Sequence, residues 1–251
     1  MKNLQVTALG FGMILAGLSF SQDIHKHYNV RYVTFFEPSS PVFARDSGTG
    51  TIEGRVIYVG KKQLKNKKKL ITKDKEVCGR GYKIDLVYEI SQDKGVKNAV
   101  VFVKGAGKPT VEKKKLIQEK CEFKPRVIAM EAGSILEIIN NDPVKHEANG
   151  VQEFETIFQL SQPRQGMVNR VKLDKPGVVE VTCNIHGWMK AWVVVTESPY
   201  YAVSDSNGKF VIKDVPAGEY TLKMWHEGFG EKELKVKVRE GKVTKVTFEV
   251  K

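Results

Sequence analysis

The stretch CNIHGWM holds a thiol, an imidazole and a thioether three residues apart, as Cys183, His186 and Met189. A β-branched run precedes Cys183 and another follows Met189, and Gly187 lies between them, so we expect a strand–turn–strand unit rather than a helix. Such a turn can fold three soft or borderline donors around one ion. The further imidazole is His146, in a polar turn after the strand SILEIINND. These four residues therefore predict a metal site.

The types of donor in this set indicate copper. Two imidazoles, a thiolate and a weak axial thioether make up blue-copper sites, because sulfur donors suit Cu(I) and imidazole suits both oxidation states. Zinc is instead bound by cysteine, histidine and carboxylate groups. Each residue alone has an ordinary explanation, since a lone cysteine at a strand end is usually a buried hydrophobe and a lone methionine usually belongs to a core. Their order and spacing together favour the metal site.

The residues around this set resemble the cupredoxins of the plastocyanin and amicyanin type. The similarity covers about residues 116–197 and includes FKPRVIAMEAGSILEIINND, the Pro-Gly before VVEVTC, and the Cys-x₂-His-x₂-Met spacing, which most resembles amicyanin. The resemblance implies a Greek-key β-sandwich that holds one type 1 copper ion. The ligands that it implies are His146, Cys183, His186 and Met189.

The same resemblance assigns roles to the residues around the ligands. It makes His186 the exposed edge through which electrons pass, with Gly187 and Trp188 in the apolar rim around it. It makes Asn141 the residue that orders the loop of the first histidine. Glu147 departs from the family pattern, in which Asn, Thr or an apolar residue follows the first histidine. A carboxylate at this position would perturb the site or enter the coordination sphere.

The N-terminus has the pattern of a secretory signal peptide, residues 1–21. A basic start precedes an apolar run from Leu4 to Phe20, and Ser19 and Ser21 suit the −3 and −1 positions of a signal-peptidase site. We expect a periplasmic or extracellular mature protein with no transmembrane span after cleavage. The alternative is an uncleaved anchor, for which the apolar run is short.

The cysteine count becomes informative in an oxidising compartment. Of the three cysteines, Cys78 and Cys121 lie in polar, loop-like surroundings, and a disulfide between them is the simplest pairing. Closing a loop of about 40 residues would stabilise the fold by roughly 4 kcal/mol in the chain-entropy model. Cys183 is then left single, and metal ligation gives an exported protein a reason to keep it.

The net charge of +12 is concentrated in KKQLKNKKK at 61–69 and KKK at 113–115. These runs lack interleaved aromatic residues, so we expect no nucleic-acid partner. A solvated lysine face is the simplest interpretation. The functional alternative is steering toward an acidic redox partner, such as a cytochrome or an oxidase domain.

Short β-branched or alternating runs dominate from residue 50 onward and predict an all-β chain, with a short helix as an option at 113–120 or 152–160. The preceding segment, 22–49, has linker composition, and its His25 and His27 are interpreted as incidental. Residues 198–251 carry D-x-N-G-x-F…V-P-A-G-x-Y-x-L, which resembles the carboxypeptidase-regulatory-like (transthyretin-like) β-sandwich. A hairpin is predicted around Glu240-Gly241, and His226 is interpreted as structural.

The segment 50–115 contains GTIEGRVIYVG and KNAVVFV, which are similar to the strands that open the transthyretin-like family. We therefore expect it to complete a discontinuous sandwich with 198–251, into which the cupredoxin region 116–197 is inserted. The alternative is three modules in series.

The function that these patterns favour is a non-enzymatic, exported electron carrier. Multicopper oxidases and nitrite reductases need further histidine clusters, whereas this chain has five histidines in all. No Ser-His-Asp order or paired-carboxylate motif stands out. Two alternatives remain: a copper protein for storage, delivery or sensing, and a surface protein with a vestigial copper site.

Overall fold

The computed structural model of the protein describes residues 48–251. The predicted signal peptide, almost all of the predicted linker, and His25 and His27 lie outside the described residues. Within 48–251 the chain forms eighteen strands and one four-residue helix, α1 (Lys75–Cys78), so the all-β prediction is confirmed. None of the helical structure in this range is long and apolar enough to cross a membrane.

The strands alternate with short turns along the whole described range. In chain order they are β1 (Thr49–Tyr58), β2 (Lys67–Leu70), β3 (Tyr82–Asp85), β4 (Val100–Val103), β5 (Lys113–Glu119), β6 (Glu122–Lys124), β7 (Val127–Glu131), β8 (Ser134–Asn140), β9 (His146–Gln152), β10 (Glu155–Gln162), β11 (Val168–Leu173), β12 (Gly177–Cys183), β13 (Lys190–Thr196), β14 (Tyr201–Val203), β15 (Lys209–Pro216), β16 (Gly218–His226), β17 (Gly230–Val238) and β18 (Val243–Val250).

A first sandwich contains the predicted metal ligands. Its larger sheet has the strand order β10-β9-β12-β13-β7, and the facing sheet has the order β11-β8-β5-β6. Alternate residues of both sheets meet in one apolar core, to which Leu136, Ile138, Val181 and Val193 contribute. Burying such side chains contributes about 1.5–3 kcal/mol each. This core fixes the ends of β9 and β12, which carry His146 and Cys183.

A second sandwich is built from strands on both sides of the first in the sequence. Its sheets have the orders β15-β1-β18 and β14-β4-β16-β17. β1 pairs antiparallel with β15 and parallel with β18, and β4 lies between β14 and β16. The strands that precede the first sandwich in the chain thus share a core with the strands that follow it. β5, at Lys113–Glu119, belongs to the first sandwich.

Two local predictions from the sequence are wrong. The optional helices at 113–120 and 152–160 are strands, because Leu116 and Gln118 face the core in β5 while their neighbours face outward. The predicted hairpin at Glu240-Gly241 is a connection between sheets, since β17 pairs with β16 and β18 pairs with β1. Both strands bury alternate residues at their C-terminal ends, so this pattern alone did not distinguish a hairpin from a crossing between layers.

The two sandwiches pack against each other through a third apolar cluster. Val127 and Ala129 of β7 face Val100 and Trp225 of the second sandwich. All five residues of β7 are buried because both of its faces are covered. Beside this cluster the Arg126 guanidinium contacts Asp85 at 2.5 Å and Glu227 at 2.6 Å, so a buried ion-pair network joins the layers.

Residues 59–99, between β1 and β4, form what we name the cover segment. It contains the two-stranded sheet β2–β3 and helix α1. A disulfide joins its Cys78 to Cys121 of the first sandwich, as the cysteine count predicts. Lys83 adds an ion pair to Glu122 at 2.6 Å and a hydrogen bond to the carbonyl of Lys120 at 3.0 Å. The cover segment is therefore fixed to the end of the first sandwich where the predicted ligands lie.

Candidate metal centre

Three of the four predicted ligands direct their donor atoms at one point. The Nδ1 atoms of His146 and His186 lie 3.0 Å apart, and the Cys183 Sγ lies 3.8 Å and 3.7 Å from them. Donor atoms have such separations when each lies about 2.0–2.3 Å from a single central ion. All three side chains are buried, with exposed fractions of 0%, 0% and 2%.

The turn after β12 sets the positions of Cys183, His186 and Met189. Cys183 is the last residue of β12, and Asn184 donates to the carbonyl of Glu147, which ties the start of the turn to β9. Met189 donates its amide to the carbonyl of His186 at 2.9 Å, which closes the turn before β13. Met189 is buried in the same apolar cluster as Cys183. A helix is absent from this turn, as the flanking β-branched runs predict.

Asp142 fixes the ring of His146. Its Oδ2 lies 2.9 Å from His146 Nε2, and its two oxygens also accept the amides of Lys120 and Cys121. Burial raises the pKa of Asp142, but these hydrogen bonds outweigh burial and hold the pKa below its usual value. Because a carboxylate on Nε2 requires the proton there, the Nδ1 lone pair of His146 faces the other donors.

Asp74 of the cover segment does the same for His186. Its Oδ2 lies 2.8 Å from His186 Nε2. Asp74 precedes α1 in the left-handed conformation, at φ 48°, and its side chain makes no capping hydrogen bond to the helix. A left-handed non-glycine residue costs of order 1–3 kcal/mol and persists where its surroundings determine it. The Asp74 carboxylate therefore binds the His186 ring and does not cap α1.

The expectation that His186 presents an exposed edge is therefore wrong. Its ring has no exposed surface, because Asp74 lies over Nε2. One sulfur atom each of Cys78 and Cys121 lies within 4.8 Å of a ring nitrogen of His186, so the disulfide also borders the site. The long separation of the cover segment from CNIHGWM in the sequence hid this arrangement.

The surroundings of Cys183 favour its thiolate. Burial raises the pKa of this thiol, but the two imidazoles and the backbone amides of Glu147 and His186 outweigh burial and lower the pKa from 9.0 to about 5. Burial lowers the pKa of His186, and its contacts with Cys183 and Asp74 outweigh burial and raise the pKa. The thiolate is the form of cysteine that binds metals.

Two residues assigned around the ligands do not act as expected. Asn141 is exposed, and within residues 48–251 its side chain has no hydrogen-bond partner. The loop is ordered instead by Asn140, whose Oδ1 accepts the amide of Asp142 and whose Nδ2 donates to the carbonyl of Val144. The carboxylate of Glu147 accepts a hydrogen bond from Gln159 and is outside the donor set, to which only the backbone of this residue contributes.

Trp188 lies beside His186, but with His186 covered it does not form the rim of an exposed edge. The two ring centroids are 5.1 Å apart, and Trp188 is 7% exposed. Its Nε1 donates to the carbonyl of Cys121, which ties the turn to the disulfide. Gly187 is exposed, and its carbonyl lies 3.5 Å from Lys69 Nζ of the cover segment.

Residues 188–251 match the family model described as "Carboxypeptidase regulatory-like domain". The resemblance assigned to 198–251 is confirmed, and the matched range also takes in β13. No curated protein matches the chain.

The solved structures similar to this chain include cupredoxins. A purple cupredoxin from Nitrosopumilus maritimus is 18% identical, with a TM-score of 0.29 and coverage of 33% of this chain and 98% of that one. Amicyanin from Paracoccus versutus is 14% identical, with a TM-score of 0.31 and coverage of 38% and 96%. The copper-containing nitrite reductase of Thermus scotoductus SA-01 is 23% identical, with a TM-score of 0.31 and coverage of 37% of this chain. The chain spans only 24% of that reductase.

The donor set fits copper on its own chemistry. Two imidazole nitrogens and one cysteine sulfur converge, with Met189 buried in the same cluster. Imidazole and sulfur donors together suit copper in both oxidation states. Asp74 and Asp142 bind the far sides of the rings, so their carboxylates are outside the donor set.

Sequence reasoning missed both of these carboxylates. Asp142 lies in the motif NNDPVKH, four residues before His146, and a search for a partner of that imidazole would have found it. Asp74 has only an indirect signal, since it lies four residues before Cys78, whose disulfide partner was predicted.

Proposed function

We propose that this protein is an exported one-electron carrier that uses one copper ion, held by His146, Cys183, His186 and Met189. The observation that carries the proposal is the convergence of two Nδ1 atoms and a thiol sulfur within 3.0–3.8 Å in a buried site. Copper bound there would supply a one-electron redox couple.

The chain's own residues would keep this donor set rigid. Asp142 and Asp74 hold the two rings from behind, and the apolar core holds Cys183 at the end of β12. A ligand set that moves little between oxidation states lowers the reorganisation that electron transfer requires. Burial of the donors also keeps water away from them.

The cover segment favours electron transfer over copper delivery. It lies across His186 and is tied down by the Cys78–Cys121 disulfide, so release of an ion requires this closed end to open. A delivery protein would need such opening to be fast. We therefore place storage, delivery and sensing second.

Two rates measured on one sample separate these functions. The copper-loaded protein is mixed with a strong Cu(I) chelator after reduction, and its electron exchange with a soluble redox dye is followed in parallel. The carrier model predicts fast exchange and slow loss of copper to the chelator. Fast loss with slow exchange would support delivery instead, and folding that is indifferent to both copper and Cys183→Ser would support a structural role.

A further inference from the structure

The β2–β3 sheet of the cover segment turns polar side chains toward the protein and large apolar side chains toward the outside. Its inner face carries Lys69, Lys83 and Asp85, which contact the carbonyl of Gly187, Glu122 and Arg126 respectively. Its outer face is mainly apolar, because Leu70 pairs with Tyr82 across the strands and Ile84 follows on the same side, opposite the exposed Lys68. We name the outer residues Leu70, Tyr82, Ile84 and Leu86 the hairpin patch.

The hairpin patch is exposed to an extent unusual for large apolar residues that lie together. Leu70, Tyr82, Ile84 and Leu86 are 55%, 62%, 55% and 42% exposed. Single exposed apolar residues are ordinary, but contiguous ones with a polar surround mark interaction sites. The inner face of the β2–β3 sheet docks on the protein through polar side chains. The exposed apolar residues of the hairpin patch therefore take no part in holding this sheet in place.

The chain segment that carries most of the hairpin patch is strongly basic. Residues 61–83 contain ten lysine or arginine and two acidic side chains, which gives +8 of the chain's net +12. One of the two acids, Asp74, is committed to His186. An apolar patch inside a basic field complements a surface with an apolar centre and an acidic rim.

A groove connects the hairpin patch to the predicted ligands. It has a volume of about 330 Å³ and is lined by Ile84, Leu86, Trp188 and Met189. Lys97, Lys124 and Lys190 also line it, and its acidic members Glu89 and Glu122 are paired with lysines. The partner surface would therefore approach the metal-binding turn at Trp188 and Met189.

We propose that the hairpin patch is the docking surface for an acidic electron-transfer protein. The inference rests on the proposed function, because it places the partner over the ligands that the copper would use. It moves the docking surface from His186 itself, which is covered, to the segment that covers it. The lysines would set the rate of encounter, and the apolar patch would hold the complex.

The test uses a triple variant, Leu70→Ser/Tyr82→Ser/Ile84→Ser, and a matched control, Val111→Ser/Phe154→Ser/Val243→Ser, at residues 72%, 102% and 51% exposed elsewhere. The probe is an acidic bacterial c-type cytochrome, with its rate of electron exchange followed by stopped flow at low ionic strength. We expect the patch variant to react about tenfold or more slowly, with its rate of reduction by ascorbate unchanged. We expect the control to react like the wild type.

A charge arm tests the encounter step. Lys61→Glu/Lys65→Glu, exposed and outside the β2–β3 sheet, should slow the reaction at low salt and lose that effect at 1 M salt, where the Debye length is about 3 Å. Lys213→Glu/Lys242→Glu, exposed and in the second sandwich, is the control.

A wild-type rate in the patch variant would overturn the proposal. The proposal would also be overturned if the patch variant lost only its self-association, or only its binding to phosphatidylglycerol vesicles, and still reacted normally with the cytochrome.

Binding of the same cytochrome to the copper-free protein separates failure of docking from failure of the proposed function. Loss of this binding in the patch variant supports the docking surface whether or not the copper cycles. Unchanged binding in the patch variant, with a copper site that does cycle, overturns the docking surface alone.

Discussion

The carboxylate of Asp74 lies 2.8 Å from Nε2 of His186, although 112 positions separate the two residues in the chain. Asp142 stands in the same relation to His146, at 2.9 Å. Both imidazoles of the candidate site are thus held from behind by a carboxylate, and one of these comes from the cover segment. The site is completed only when the cover segment is in place.

Replacing Asp74 should weaken copper binding without unfolding the protein. Partners of metal-bound histidines typically contribute about 10–100-fold in affinity, so we expect Asp74→Ala to fall in this range and Asp74→Asn to lose less. Competition titration with a Cu(II) chelator measures the change. Glu76→Gln is the matched control, since Glu76 lies on α1 and, among residues 48–251, pairs with the exposed Arg80 alone. Wild-type affinity in Asp74→Ala would refute a role for this carboxylate.

Removing the disulfide should cost stability through the unfolded chain. Cys78 and Cys121 are 43 residues apart, and the chain-entropy model gives about 4 kcal/mol for a loop of that size. We expect Cys78→Ser/Cys121→Ser to lose roughly that free energy of unfolding, measured by urea denaturation of the copper-free protein. Adding dithiothreitol should lower the stability of Cys183→Ser but not that of the double variant. Equal stability of the double variant and the wild type would contradict this account.

The Arg126 network should be essential to the contact between the layers. Its guanidinium is 16% exposed and pairs with Asp85 and Glu227, which are 9% and 3% exposed. Breaking a buried pair on one side typically costs about 3–5 kcal/mol because it leaves an uncompensated charge, and we expect this of Arg126→Ala in thermal or urea unfolding. Arg170→Ala, at a pair whose arginine is 63% exposed, should cost about 0–1 kcal/mol. Similar losses in both variants would contradict the network's role.

His226 should make stability depend on pH. Burial lowers the pKa of this histidine from 6.5 to about 4. Its full contribution is therefore present above pH 6.5 and is lost as pH falls toward 4, because the unfolded chain binds the proton first. The wild type should lose about 2 kcal/mol more than His226→Phe between pH 7.5 and pH 5, by urea unfolding. Parallel curves for the two proteins would show that His226 titrates normally.

The sequence predicted what local spacing and order determine. Cys183, His186 and Met189 lie in one turn, and His146 follows a strand whose pattern is clear, so the donor set could be predicted from the sequence. The strand period also explains the error at Asn141, because a shift of one residue moves a side chain to the opposite face. Asn140 faces inward and Asn141 faces outward.

The sequence did not predict what only the three-dimensional fold brings together. Nothing near Asp74 in the chain indicates that it reaches His186, because the contact depends on how the cover segment docks and on the Cys78–Cys121 bond. The connection from β17 to β18 was missed for a related reason. A turn between two alternating strands has the same pattern whether the strands pair or lie in facing sheets.

The visible absorption spectrum of the protein with one equivalent of Cu(II), before and after ascorbate, tests the central claim most directly. We predict an intense band in the yellow-to-red region that bleaches on reduction, returns on oxidation and is absent from Cys183→Ser. A colourless wild-type protein, or a faint band that Cys183→Ser retains, would show that the thiolate does not bind Cu(II) and would contradict the proposed electron carrier.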